Sequence, residues 1–190
     1  MAAAATSTGP STTPETPVPR TVRLVRVGAL LASGMAIAFT APLHEQLGFD
    51  RGVSAIALGA LGIAHLIEWR ARRGVPAYPV PLLLGLAAVL AALALPFAGT
   101  PILFACVIAA WGLVSGLLEL VGNALMRTDG RSDRVLLGAS GILLALLCLL
   151  VREDPVAVLG FFGAYAIVAG VFLGISAFDV RRPEPARDDH

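Results

Sequence analysis

The stretch ILFACVIAAWGLVSGLLELVGNALM, residues 102–126, decides the fold class of this chain. A helix needs about 20 apolar residues to cross the hydrocarbon core of a bilayer, and this stretch is long enough. Glu119 is the one charged residue within it. Because hydrocarbon disfavours a carboxylate, Glu119 must be shielded from lipid, and it is the first candidate for a functional role.

The composition of the whole chain has the same character. Of its 190 residues, 57% are hydrophobic and 14% are charged, whereas a soluble domain carries about 25% charged residues. The net charge of +1 provides no basic surface of the kind that binds nucleic acid. The chain is therefore predicted to be an integral membrane protein, with the lipid bilayer as its first partner.

Five other apolar blocks accompany this stretch, so we predict six transmembrane helices in an all-α membrane protein. Their residues are 22–43, 52–69, 80–97, 102–126, 135–151 and 156–178. Residues 1–20 lack an apolar period, which predicts a disordered cytoplasmic tail. A short second tail covers residues 183–190, so the transmembrane domain takes in residues 21–182. A cleaved signal peptide over the first span is the alternative, which the repeat described below argues against.

The arginines predict which way these helices run. All 14 basic residues are arginines, and only Arg51 and Arg152 fall on one side of the predicted membrane. Because arginine-rich loops stay in the cytoplasm, we predict that both termini are cytoplasmic. The predicted location is the cytoplasmic membrane, which the chain crosses several times.

The chain also matches itself at a shift of 54 residues. Glycines, prolines, arginines and aromatic residues coincide at this shift: Gly62, Gly116 and Gly170; Arg73, Arg127 and Arg181; Trp111 and Tyr165; Pro101 and Pro155; Pro42 and Pro96. Each of these residue types has a positional reason to recur, such as close helix approach for glycine and the first helical turn for proline. We therefore predict three helical hairpins in parallel orientation, at about residues 22–73, 76–127 and 130–181.

One motif recurs within these units: an aromatic residue, then a glycine five positions later and an acid three positions after that. The motif is complete as Trp111, Gly116 and Glu119. In the third unit, Tyr165 and Gly170 match it, but Leu173 stands in the position of the acid. In the first unit only Gly62 matches, with Ala57 in the aromatic position and His65 in the acid position. The pattern and the six-span plan resemble the HdeD-like family of bacterial membrane proteins over about residues 22–182. The resemblance implies an inner-membrane protein associated with acid resistance, and it implies no catalytic activity or cofactor.

The ionisable residues inside the predicted spans are Glu119, His65 and Glu68. Glu119 and His65 each lie eight residues before an arginine, and Glu68 lies one turn beyond His65. One interpretation is a cluster that responds to protons in mild acid. The other is a packing contact in which His65 and Glu119 meet across the bundle, with a hydrogen bond that contributes about 1 kcal/mol.

Glycine pairs and cysteines complete the candidate residues. Gly112 with Gly116 and Gly170 with Gly174 form GxxxG patterns, which we expect to pack inside the bundle rather than between subunits. Cys106 and Cys148 both lie in apolar segments; we expect buried thiols, and a disulfide is the alternative.

No catalytic, cofactor or metal site is predicted. His44 and His190 lie outside the spans, and Ser140 lies in GASG rather than in the GxSxG motif of hydrolases. The leading hypothesis is a non-enzymatic protein of the cytoplasmic membrane that is linked to acid or another stress response. The alternatives are a small transporter or channel for protons or solutes, and a structural partner that forms homo-oligomers.

Overall fold

A computed structural model describes residues 20–43, 46–72, 79–125 and 131–178 of the chain. These residues form six α-helices, two short 3-10 segments and no strand, so the all-α prediction is confirmed. The helices are α1 (Arg20–Phe39), α2 (Leu47–Ala71), α3 (Val80–Ala94), α4 (Pro101–Leu125), α5 (Arg131–Leu150) and α6 (Pro155–Phe178). Arg20, the last residue of the predicted N-terminal tail, begins α1. The rest of the predicted tails, together with Arg73, Arg127 and Arg181, lies outside the described residues.

Five of these helices, counted over the described residues, are long and apolar enough to cross a membrane. Their spans are Arg20–Phe39, Leu47–Ala71, Val80–Phe97, Pro101–Gly122 and Pro155–Phe178. The apolar part of α5, Val135–Leu150, is shorter than the other spans. Large apolar side chains such as Ile56, Leu90 and Ile175 are exposed on the outside of the bundle, as expected for a surface that faces lipid.

Proline residues set several helix boundaries. Pro101 and Pro155 are the first residues of α4 and α6, where the missing N–H leaves no helical hydrogen bond unmade. Pro42 and Pro96 lie in the two 3-10 segments, Ala41–Leu43 and Leu95–Phe97. The first-turn positions predicted for Pro101 and Pro155 are confirmed.

The start of α2 differs from its prediction. The helix begins at Leu47 rather than at residue 52, so Asp50 and Arg51 belong to its first turns. An acid near a helix N-terminus is favoured by the helix dipole. Arg51 donates from Nη1 to the carbonyl oxygens of Pro96 and Ala98, at 3.2 and 3.3 Å. This contact explains why charged residues that resemble a loop continue the helix.

The helices form a ring in which neighbouring units pack most closely. The most extensive contacts join α2 to α3, α4 to α5 and α6 to α1, whereas the two helices within each predicted hairpin pack less extensively. Arg20 also lies over the ring of Phe178, 4.3 Å from its centroid. The first and last helices are thus direct neighbours.

Glycines produce the close approach in all three of these pairs. A Cβ on Gly62 would lie 3.2 Å from the Gly85 carbonyl oxygen, and a Cβ on Gly116 would lie 2.6 Å from that of Gly138. On α6, a Cβ on Gly170 would meet Leu31 of α1 at 2.8 Å. The prediction that the glycines pack inside the bundle is confirmed, because small residues allow helix backbones to touch.

Gly116→Ala is expected to destabilise the protein by about 1–3 kcal/mol, the usual effect of overpacking a tight core. The added methyl group meets the backbone of Gly138 and Ile142, neither of which can rotate away. Gly160→Ala is the matched control, because nothing lies within 4 Å of its Cβ position. Unfolding in mixed detergent micelles measures both, and equal stability of the two variants would contradict the role given to Gly116.

Candidate functional site

A buried ion pair joins two helices that are far apart in sequence. Nη2 of Arg26, on α1, donates a hydrogen bond to Oε1 of Glu119, on α4. The side chains are 15% and 10% exposed. Glu119 is therefore shielded from lipid, as its position in an apolar helix requires, and its partner is an arginine rather than the predicted His65.

The two residues meet because they lie at the same level of the bundle. Arg26 is six residues after the start of α1, and Glu119 is six residues before the end of α4. At 1.5 Å per residue, each lies roughly 9 Å from the end of its helix. We call this end of the bundle, where α1 begins and where α2, α4 and α6 end, the Arg26 end.

His65 and Glu68 lie at the same end, on α2. Oε1 of Glu68 accepts a hydrogen bond from Nη2 of Arg72 at 2.6 Å, one helical turn away. His65 is buried, and both residues interact electrostatically with Arg26. Arg26 thus connects the predicted candidates His65, Glu68 and Glu119, which do not pair directly with one another in the described part of the chain.

Aromatic side chains form the inner boundary of the site. The ring of Trp111 makes edge-to-face contacts with Phe162 and Tyr165, at centroid distances of 5.5 and 5.8 Å. Such contacts contribute about 0.5–1.5 kcal/mol beyond the burial of apolar area. Tyr165 also interacts electrostatically with Arg26 and Glu119. The two aromatic residues that coincide in the repeat, Trp111 and Tyr165, therefore contact each other at the centre of the bundle.

Four buried polar atoms at this site have no hydrogen-bond partner among the described residues. They are Arg26 Nε, His65 Nδ1, Trp111 Nε1 and Ser115 Oγ. Trp111, Ser115 and Glu119 follow one another at intervals of four residues, which places them on one face of α4. The site is thus a polar region that extends from the ion pair towards the middle of the bundle.

Sequence reasoning missed Arg26 and Ser115. Arg26 is one of three arginines near the start of the first span, and its charge suits a flanking anchor as well as a buried partner. Its position in the sequence could have identified Arg26 as a buried residue, because it lies inside the apolar stretch of residues 22–43. Ser115 carried a weaker signal, namely its place between Trp111 and Glu119 on one helical face.

The cysteines take no part in this site. The expected burial is confirmed for Cys148 but is wrong for Cys106, which lies on the exposed side of α4, and both thiols are free. In the described residues, no group of three or more His, Cys, Asp or Glu side chains is arranged to hold a metal ion. Among the described residues, the site offers two ion pairs, one imidazole, two hydroxyl groups and one indole N–H.

Comparison with known proteins identifies one matching family. Residues 90–151 match the family described as a short repeat of unknown function, DUF308. The match covers 62 of the 190 residues and contains Trp111, Gly116 and Glu119, whereas His65 and Tyr165 lie outside it. HdeD proteins belong to this family, so the predicted resemblance is confirmed at the level of the DUF308 repeat within residues 90–151. No curated protein and no solved structure matches the chain.

The family match and the fold lead to the same class. The matched segment begins within α3 and takes in α4 and α5, which form one of the closely packed helix pairs. The remaining long apolar helices have the length and composition of membrane spans. The chain is a multi-pass, all-helical integral membrane protein with a central segment similar to the DUF308 short repeat.

Proposed function

We propose that this protein is a non-enzymatic, HdeD-like protein of the cytoplasmic membrane that acts in the response to acid stress. In this proposal it crosses the membrane six times, as three hairpin repeats with both termini in the cytoplasm. The observation that carries the proposal is the buried ion pair of Arg26 and Glu119. Ionisable groups inside membrane spans are expensive to keep, and they mark functional positions by default.

The pair supplies a two-state element that acid can act on. With Glu119 ionised, the Arg26 charge is neutralised and α1 is held to α4. When Glu119 takes up a proton, the charge of Arg26 is left without a counter-ion in a low-dielectric region. Among the described residues, His65 and Glu68 on α2 and Tyr165 on α6 interact electrostatically with the pair. Protonation therefore favours any arrangement in which Arg26 reaches water.

The test is acid survival of cells that lack the protein. The cells are complemented with the wild type or with the double variant Arg26→Met, Glu119→Leu, at matched levels in the membrane. The double variant fills the site with apolar side chains of similar size and removes the carboxyl group. We expect the wild type to restore survival and the double variant to fail.

Two other results would contradict the proposal. Equal rescue by both proteins would mean that the pair only packs the bundle together. A deletion strain that survives acid as well as its parent would remove acid as the relevant stress. A transporter or channel remains the second candidate, supported by the unpartnered polar atoms along α4.

A further inference from the structure

The polar atoms around the ion pair have hydrogen-bonding capacity that the described protein leaves unused. Arg26 Nε and Trp111 Nε1 are donors only, while Ser115 Oγ and His65 Nδ1 can donate or accept. All four atoms are buried without a partner, and His65, Trp111 and Ser115 are each more than nine-tenths buried. A buried polar group without a partner is destabilising by about 1–3 kcal/mol, so native proteins seldom leave such groups unsatisfied.

The chemistry of these atoms limits what can satisfy them. A ligand must bring oxygen lone pairs, because two of the four atoms can only donate. It must also be uncharged, because Arg26 is already neutralised by Glu119, and Glu68 is paired with Arg72. A further anion in this low-dielectric region would have no counter-ion. Water meets both conditions, and a buried water molecule typically makes about three hydrogen bonds to such groups.

The partly exposed ion pair of the site lies towards one end of the bundle. Arg26 and Glu119 are the partly exposed members, and they lie nearest the Arg26 end. Trp111 is eight residues further along α4, roughly 12 Å deeper at 1.5 Å per residue. Beyond Trp111 lies a layer of fully buried apolar side chains, which we call the apolar plug: Leu58, Phe104, Ile108, Leu159 and Phe162. Two polar side chains of α2, Asp50 and Ser54, are fully buried on the far side of this layer.

We infer that internal water molecules enter from the Arg26 end, bridge Arg26, His65, Ser115 and Trp111, and stop at the apolar plug. Protons then reach Glu119 from one side of the membrane and do not cross to the other. This inference deepens the proposed acid response, on which it rests for its biological meaning. It makes the protein a sensor of one compartment rather than a proton conductor.

Hydroxyl-radical footprinting of the full chain in lipid nanodiscs tests this inference. Radicals generated from water by X-ray pulses label side chains next to bound water, and isotopically labelled water identifies its oxygen in the product. The chain carries two tryptophans, and Trp69 near the end of α2 is the internal reference for Trp111. We expect Trp111 to be labelled within roughly tenfold of the rate of Trp69, as ordered water beside its indole requires.

The apolar plug provides the dry reference. Phe104 of the plug lies near the start of α4, and Cys148, outside the plug, lies near the end of α5, so both are at the end of the bundle opposite the Arg26 end. Both are fully buried, and we expect neither to be labelled. Ser115→Val replaces a hydroxyl group that could bind the water with methyl groups, so labelling of Trp111 should fall. Ser140→Val is the matched control, because Ser140 donates to the carbonyl oxygen of Leu137 on its own helix.

Three results would overturn the inference. Absence of labelling at Trp111 while Trp69 is labelled would mean that no water lies beside Trp111. Labelling of Phe104 and Cys148 at the rate of Trp111 would mean that water passes the plug. Equal loss of Trp111 labelling in both serine variants would remove Ser115 as a ligand of the water. Footprinting needs no acid phenotype, so failure of the stress proposal would leave its outcome unchanged.

Discussion

Replacement of Glu119 by Gln is expected to destabilise the protein by about 3–5 kcal/mol, because it leaves the charge of Arg26 buried without its counter-ion. Arg26 keeps only a neutral amide as a partner, and its side chain is 15% exposed. A water molecule beside Arg26 can accept a hydrogen bond but cannot neutralise its charge. Unfolding by sodium dodecyl sulfate in mixed micelles, followed by circular dichroism, measures the change directly.

The double variant Arg26→Met, Glu119→Leu separates the charge from the packing. Replacement of a whole buried ion pair by apolar residues of similar size is often neutral or stabilising, by up to about 4 kcal/mol. We therefore expect the double variant to need at least as much sodium dodecyl sulfate to unfold as the wild type, although its change at Glu119 removes the same carboxylate. If Glu119→Gln alone were as stable as the wild type, the pair would not hold α1 to α4.

Trp111→Ala is expected to have an effect of similar size, about 3–5 kcal/mol, as for other buried aromatic residues. Trp111 is buried, and it contacts two rings of α6 edge to face. Its loss removes both aromatic contacts and leaves a cavity at the centre of the bundle. The same unfolding assay measures the effect.

Trp69→Ala is the matched control for this change. Trp69 is only partly buried near the end of α2, where the surroundings can adjust to a smaller side chain. We expect it to lower stability much less than Trp111→Ala. Equal losses for the two variants would mean that Trp111 packs no more tightly than a residue at the edge of the helix.

The general fold could be predicted because membrane spans have a strong local signal. Long apolar runs and first-turn prolines located the helices, and the glycines of α2, α4 and α6 predicted close approach. The partners in that approach could not be predicted. The closest pairs lie between consecutive units, and Gly138, Gly85 and Leu31 owe their roles to the neighbouring helix rather than to their own sequence.

The candidate site was predictable only in part, for a similar reason. Glu119 and His65 stand out in the sequence because each is an ionisable residue within an apolar helix, where it must be shielded from lipid. Their surroundings depend on which helices meet, and nothing local to Glu119 distinguishes His65 from Arg26 as its partner. The pairing arises because α1 and α4 place their charged residues at one level, which is a property of the assembled bundle.

The separation of Arg26 and Glu119 in the chain has a consequence for biogenesis. The two residues are 93 positions apart, so at a synthesis rate of about 5–20 residues per second Arg26 is made roughly 5–20 s before its partner. During this interval α1 carries an arginine that lipid disfavours, and it must stay near the translocon or the membrane interface. The charge of Arg26 is therefore neutralised only after α4 has been synthesised. In a chain whose synthesis is arrested before α4, Arg26 would have no Glu119 to pair with.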